Sequence, residues 1–112
     1  MPDVFQILAD PTRRRLVAEL QTGERSVSEL VAAVDIGQPG VSRQLAILED
    51  ARFVSVRPAG RRRLYRLRPE PFVELDSWMR GYRRMWEARL DRFAAQLERR
   101  AKSRRKNKEE GA

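Results

Sequence analysis

The stretch from residue 26 to 48 decides the fold, with Ser26-Val-Ser-Glu-Leu30 at its start and Gln38-Pro-Gly-Val-Ser-Arg-Gln-Leu-Ala-Ile-Leu48 at its end. Ser26 and Glu29 have the spacing of a capping box, which begins a helix. Asp35-Ile36-Gly37 then interrupts the helical pattern for about three residues. The pattern resumes with apolar residues on one face: Val41, Leu45 and Leu48. Two short helices joined by a tight glycine-containing turn predict a helix-turn-helix.

The second helix of this motif enters the DNA major groove with its N-terminal residues leading. Its outward side chains here are short and polar, and Arg43 is the best candidate for a guanine contact. Gly40 would let the backbone approach DNA closely. The predicted major-groove set is Gln38, Gly40, Ser42, Arg43 and Gln44. On this segment alone, an ordinary helical hairpin with a polar face is the alternative.

A β-hairpin follows, because the apolar period changes to two from Val54 onward. Pro58-Ala-Gly60 predicts the turn and Arg63-Leu-Tyr-Arg-Leu67 the returning strand. A hairpin needs a surface to pack on, which the helices supply, so we predict a winged helix, mainly α-helical with a small β-hairpin. The arginines of the wing tip are predicted to reach a flanking minor groove or its phosphates: Arg61, Arg62 and Arg63. Charge that protects a sheet edge is the alternative.

The last long segment, from about residue 71 to 100, is predicted to be an amphipathic helix. Apolar residues recur along it at spacings of three and four: Leu75, Trp78, Met79, Tyr82, Met85, Trp86, Leu90, Phe93 and Leu97. A helix of about 30 residues spans roughly 45 Å, longer than so small a domain covers. Its apolar stripe is therefore predicted to meet a second copy, with packing inside one chain as the alternative. We predict one domain with its dimerisation helix over residues 1–100 and a basic, disordered tail over residues 101–112.

The charge of the chain points to a polyanion as partner. The 112 residues carry 24 Lys and Arg against 16 Asp and Glu, a net charge of +8. Residues 37–68 hold eight cations and two anions, and residues 99–112 hold seven and two. Such basic blocks favour nucleic acid. For the second block, a solvated, fraying helix end is the alternative.

Composition excludes several classes of protein. With no cysteine and no histidine, disulfide scaffolds, zinc fingers and His-based catalytic triads are excluded. No nucleophile–base arrangement or phosphate-cradling loop is present, so we predict no enzyme activity and no cofactor. The longest apolar run, residues 30–34, is too short for a membrane span or a signal peptide. We therefore expect a cytoplasmic protein without a membrane partner.

Five motifs in order carry a resemblance to the ArsR type of winged-helix regulator: Asp10-Pro-Thr-Arg13, Ser26–Leu30, Gln38–Leu48, Gly60-Arg61 and Tyr65-Arg-Leu67. The last helix is similar to that of a branch lacking metal sites. The resemblance implies homodimers that bind operator DNA and usually repress transcription, with the first and last helices at the dimer interface. In this chain the interface residues would be Phe5, Trp78, Tyr82, Trp86, Leu90 and Phe93.

The departures from the family concern metals. Ser26, Val27 and Ser28 stand where arsenical and cadmium sensors of the family carry Cys-Val-Cys, and hydroxyls are poor ligands for soft metals. The zinc sites of other members need histidine on the last helix, which this chain lacks. Gln44 stands where histidine is usual in the recognition helix, and it can still bond a base or phosphate. We predict no metal site.

The leading hypothesis is a homodimeric, sequence-specific regulator of double-stranded operator DNA, acting as a repressor. The alternative is a non-specific basic nucleic-acid-binding protein of the nucleoid or of RNA, although few aromatics in the basic block argue against single-strand stacking. A third class is an interaction module whose wing binds another protein. Two roles stay open for Arg13, Arg14 and Arg15, namely contact with phosphate or pairing with carboxylates of the last helix. The sequence identifies no small-molecule effector.

Overall fold

The structure, a computed structural model, describes residues 3–110, without the side chain of Glu110. Its elements in chain order are α1 (Val4–Leu8), α2 (Pro11–Leu20), β1 (Arg25–Ser26), α3 (Val27–Ala33), α4 (Gly37–Asp50), β2 (Val54–Ala59), β3 (Arg62–Leu67) and α5 (Glu70–Glu110). Helices α3 and α4 form the predicted helix-turn-helix, and β2 with β3 forms the wing.

The predicted helix starts are confirmed by their hydrogen bonds. The Ser26 hydroxyl accepts from the Glu29 backbone N–H at 3.2 Å, and the Ser26 N–H donates to Glu29 Oε1 at 3.1 Å. Asp10 caps α2 by accepting from the Arg13 N–H at 2.9 Å, and Pro11 needs no partner at the first helical position. Gly37 has a φ of 74°, a conformation that favours glycine, so it can end the turn and begin α4.

The core lies between the helices and the sheet and confirms the predicted inner faces. Val41, Leu45 and Leu48 of α4 are fully buried, so the opposite face of α4 is left to solvent. The Phe72 ring, near the start of α5, meets the Phe53 ring edge-on with centroids 5.9 Å apart. The buried apolar residues are Val4, Ile7, Leu16, Leu20, Leu30, Val34, Val41, Leu45, Leu48, Phe53, Val54 and Tyr65.

The sheet differs from the predicted two-stranded hairpin, because β1 adds a third strand in the order β1-β3-β2, all antiparallel. With only two residues, β1 is too short to show alternation in the sequence. The wing turn is Gly60-Arg61, since Ala59 already pairs with Arg62. Pro58, predicted in the turn, lies in β2, where an edge strand tolerates its missing N–H.

Helix α5 is longer than predicted. It continues past residue 100 to Glu110, whereas the sequence predicts a disordered tail from residue 101. Residues 101–110 contain no glycine or proline and are rich in Arg, Lys and Glu, which are good helix formers. The chain divides into two compact units between Leu75 and Asp76. The boundary at residue 100 stays a prediction, and residues 1, 2, 111 and 112 lie outside the described residues.

Across residues 3–110, none of the helices combines the length and apolarity needed to cross a membrane.

Candidate nucleic-acid interface

The outer face of α4 presents polar side chains to solvent. Gln38, Ser42 and Arg43 are exposed, while Gly40 and Gln44 are half-buried. Within residues 3–110, Arg43 makes no hydrogen bond or ion pair. Its guanidinium, with five N–H donors, is therefore available to an external acceptor such as a guanine edge or a phosphate.

Gly40 has a role inside the fold that the sequence analysis did not detect. A Cβ built on Gly40 would lie 3.2 Å from Cδ1 and Cγ1 of Ile36, closer than carbon atoms normally pack. Ile36 belongs to the turn between α3 and α4. The small residue thus lets the turn pack on the first turn of α4, independently of any approach to DNA.

Gln44 is held from within the protein by Arg13. The Arg13 Nη1 donates to Gln44 Oε1 at 3.3 Å, and the same guanidinium donates to the carbonyls of Ile7 at 2.9 Å and Gln6 at 3.2 Å. Arg13 therefore joins the end of α1 to α4. Its use of the Gln44 oxygen leaves the Gln44 NH₂ group for another acceptor.

Arg13 and Arg14 both bond to the end of α1, and the two roles left open for them stay predictions. Arg14 Nη1 donates to the carbonyls of Leu8 and Ala9, the latter at 3.0 Å. Backbone carbonyls at a helix end have no partner in the helix, and these two arginines supply one. Arg15 is exposed.

The three arginines of the wing tip differ in their contacts. Arg61 and Arg63 are exposed and make no hydrogen bond or ion pair within residues 3–110. Arg62 Nη2 instead donates to Glu29 Oε1 at 2.9 Å and to the Ser26 hydroxyl at 3.1 Å. This bond joins the wing to the start of α3. The remaining nitrogens of Arg62 face no acceptor in the described part of the chain, and the side chain is 60% exposed.

Two acidic residues bond to arginines of the wing. The pKa of Glu29 is lowered chiefly by the hydrogen bond from the Ser26 backbone, with the Ser26 hydroxyl and the charge of Arg62 adding to the effect. Arg57, on β2, donates to Glu24 at 2.9 Å, and this bond lowers the pKa of Glu24 and raises that of Arg57. The pair with Glu24 offsets the charge of Arg57 on β2, and the pair with Glu29 offsets that of Arg62 at the tip. Within residues 3–110, the charges of the tip that no ion pair offsets are those of Arg61 and Arg63.

Helix α5 carries several large apolar side chains that are exposed in the described part of the chain. Leu90 is 60% exposed and Phe93 is 58% exposed, and Trp78 and Tyr82 are about half exposed, with ring centroids 4.9 Å apart. Trp86 is half-buried. Phe5 of α1, predicted to join the same interface, is 45% exposed.

Comparison with known proteins identifies the fold. The family "Bacterial regulatory protein, arsR family" matches residues 10–56. The HTH-type transcriptional regulator Rv2034 of Mycobacterium tuberculosis is 39% identical over 94 residues, which cover 83% of this chain and 85% of that protein. The chain belongs to the ArsR family. It is a DNA-binding transcriptional regulator, in a family of regulators and not of enzymes.

Two further ArsR-family proteins show how far the likeness extends. The arsenic resistance transcriptional regulator ArsR1 of Pseudomonas putida is 40% identical over 81 residues, covering 71% of this chain and 63% of that protein. The crystal structure of the ArsR family transcriptional regulator RHA00566 matches with a TM-score of 0.64 and 34% identity, over 75% of this chain and 87% of that chain. The winged helix-turn-helix is thus confirmed.

In this ArsR-family chain, the side chain at the start of α3 stabilises the fold. Ser26 is buried, and its hydroxyl is taken by the Glu29 N–H and by Arg62. Residues 3–110 contain no cluster of three or more His, Cys, Asp or Glu side chains that could hold a metal ion. The Ser26 hydroxyl thus caps α3 and accepts a hydrogen bond from the wing. In the resemblance to the family, this is the position at which metal sensors carry a thiolate.

Proposed function

We propose that this ArsR-family regulator is a homodimeric repressor that reads one operator sequence through α4 and grips the flanking DNA with its wing. The observation that carries the proposal is Arg43, an exposed arginine without an internal partner on the outer face of α4. Because the inner face of α4 is fully buried, the core fixes the backbone from which Arg43 projects. A bidentate contact of arginine to guanine is the commonest base-specific contact in the major groove.

The rest of the proposed reading surface surrounds Arg43. The major groove admits one α-helix, and a helix docked by its N-terminal half would bring its polar residues to base edges or phosphates: Gln38, Gly40, Ser42, Arg43 and Gln44. For Gln44 the proposal uses the NH₂ group, since Arg13 holds the oxygen.

The wing supplies the sequence-independent part of the proposed contact. Arg61 and Arg63 have no internal partner among the described residues, so a phosphate or a narrow minor groove can take both guanidinium groups. Arg62 is proposed to contact DNA through the nitrogens that Glu29 and Ser26 leave unused. Its bond to Glu29 joins the wing to the start of α3.

The dimer is proposed to form through the apolar side chains of α5 and α1: Phe5, Trp78, Tyr82, Trp86, Leu90 and Phe93. Such a concentration of exposed aromatic and aliphatic surface on one helix marks a protein interface. A two-fold dimer presents two copies of α4, so its operator should be a near-palindrome whose half-sites are about 10 bp apart or a multiple of that.

Selection of bound sequences from random duplex DNA tests this function. We expect an enriched near-palindrome that is bound roughly 10³-fold or more tightly than bulk DNA at physiological salt. Equal binding to all sequences would favour the non-specific nucleic-acid-binding protein. Failure to bind DNA at any salt concentration would favour the protein-interaction module.

A further inference from the structure

Helix α5 changes character near residue 99. Its part from Glu70 to Glu98 carries six acidic and five basic residues, whereas residues 99–108 carry seven basic residues and no acidic one. The exposed large apolar side chains end at Leu97. The helix thus passes from an apolar, charge-balanced segment into a purely cationic one, which we call the basic segment: Arg99, Arg100, Lys102, Arg104, Arg105, Lys106 and Lys108.

The cations of the basic segment form no polar contact of their own among the described residues. All seven side chains are exposed, and none forms an ion pair or hydrogen bond within residues 3–110. Two earlier cations of α5, Arg80 and Arg83, instead pair with Asp76. At 100° per residue, the seven cations lie on all sides of the helix. The segment therefore has no apolar face with which to pack on protein or enter a membrane interface.

Support of the helix end does not account for seven cations. Basic residues stabilise the negative end of a helix dipole, but this effect is confined to the last turn. The last turn of α5 contains only one of them, Lys108. The other six lie further from the end, where their mutual repulsion opposes helix formation.

We propose that the basic segment is a second DNA-binding surface, which contacts the phosphates of duplex DNA outside the operator read by α4. The inference rests on the proposed operator binding, because the operator-bound protein is tethered to DNA and any further contact becomes intramolecular. Residues 99–112 contain no aromatic side chain, so a single strand would find no stacking surface there. That composition favours duplex DNA over single-stranded RNA.

The dimensions of the basic segment suit a duplex. Its 10 residues from Arg99 to Lys108 span about 15 Å of helix. A duplex presents roughly nine phosphate charges over the same length, at one per 1.7 Å. Cations on all sides of the helix allow contact without one required rotation, as expected of a sequence-independent contact.

The test compares two triple variants of equal charge change. One replaces Arg100, Arg104 and Arg105 with glutamine, whose helix propensity is close to that of arginine. The control replaces Arg80, Arg83 and Arg84 with glutamine earlier in α5, and removes only weak surface ion pairs. Both variants and the wild type are titrated with the selected operator, alone and with about 15 bp of unrelated duplex on each side, at several salt concentrations. Circular dichroism checks that both variants keep their helix content.

We expect wild type and control to bind the flanked operator more tightly than the bare one, and the basic-segment variant to lose most of that advantage. Its salt slope on the flanked duplex should fall by up to about 2.7 per protomer, since each phosphate contact contributes about 0.9. Unchanged binding of the bare operator by this variant would show that operator recognition stands independently.

Three results would overturn the inference. One is an equal loss of affinity in both variants, which would show an effect of total charge alone. Another is a basic-segment variant that keeps the full advantage of the flanks. The third is a basic-segment variant that loses affinity for a single-stranded RNA as long as the flanked duplex, but not for the flanked duplex itself. That result would assign the basic segment to RNA binding.

Discussion

In the proposed complex, Arg62 bonds to Glu29 of its own chain and also contacts a phosphate of the DNA. Exposed ion pairs of this kind contribute little to stability, so removal of the bond to Glu29 should leave the fold intact. The nitrogens that Glu29 and Ser26 do not occupy are the ones proposed to contact DNA.

Arg62→Ala should therefore weaken specific and non-specific DNA binding alike and lower the salt slope by about one for each phosphate that the side chain neutralises. Titration of operator and scrambled duplexes at several salt concentrations measures both effects. Glu29→Gln is the matched control, because it removes the charge facing Arg62 and keeps the guanidinium, and it should not lower the slope. Weakening confined to the operator would contradict the proposed interaction with phosphate.

The lowered pKa of Glu29 predicts one part of the acid sensitivity of the fold. A carboxyl group whose folded pKa lies below its ordinary value of 4.5 stabilises the protein above that value. The contribution is lost as the pH falls through the folded pKa. Urea unfolding of wild type and Glu29→Gln from about pH 7 to pH 3 should show a stability difference that shrinks as the solution becomes acidic. A difference that grows on acidification would contradict the assignment.

The hydroxyl of Ser26 predicts the response to metals. Stoichiometric zinc, cadmium or arsenite should leave operator affinity unchanged, because the chain has no thiolate or imidazole ligand and hydroxyls bind soft metals poorly. Operator titrations with and without each metal check this. A tight, stoichiometric effect on affinity would reveal a site made of oxygen ligands.

Helix α5 is the element whose exposed surface most needs a partner. Changing Phe93 to glutamate would place an unpaired charge in the proposed apolar interface, and should shift the protein from dimer towards monomer or aggregate. Val73→Glu is a matched control, because Val73 is 63% exposed and lies nine residues before Tyr82, about 180° around the helix. Sedimentation at micromolar concentration measures the assembly. A wild type that sediments only as a monomer would contradict the dimer.

The helices and the wing could be predicted because their signals are local. The capping box at Ser26, the break at Gly37 and the period of two after Val54 each act within a few residues. Strand β1 could not be predicted, since two residues are too few to show an alternation of apolar and polar side chains. Its pairing with β3 also joins residues that are distant in sequence. The full length of α5 is not predicted, because a run of like charges is typical of disorder even where its residues favour helix.

The sequence predicts which side chains of the candidate site face outward, but not which residues of the chain they bond to. The period of α4 places Arg43 outward, and the structure agrees. The bonds of Arg13 to Gln44 and of Arg62 to Glu29 join residues about 30 positions apart, and no pattern in a single sequence marks such pairs. The contact of Ile36 with Gly40 is local, yet glycine in a DNA-binding helix also suits close approach to DNA, which concealed its packing role.

In the proposed dimer two chains act together, and sequence reading by α4 is separate from anchoring by the wing. In a dimer each half-site meets one α4 and one wing, so a substitution changes both half-sites. If the half-sites act independently, the total decrease in binding energy should be about twice the decrease at one site. A contact to a base edge raises the affinity for one DNA sequence, whereas a contact to phosphate raises the affinity for all DNA sequences.

Reading of sequence by α4 is tested by titrating operator and scrambled duplexes with Arg43→Ala, using Arg84→Ala on α5 as the control. We expect Arg43→Ala to cost about 1–3 kcal/mol per half-site on the operator and to relax the preference at one base pair. Binding to scrambled DNA should fall far less, and Arg84→Ala should change neither. Equal losses of affinity on both duplexes for Arg43→Ala would show that the helix does not read sequence there, and would contradict the account.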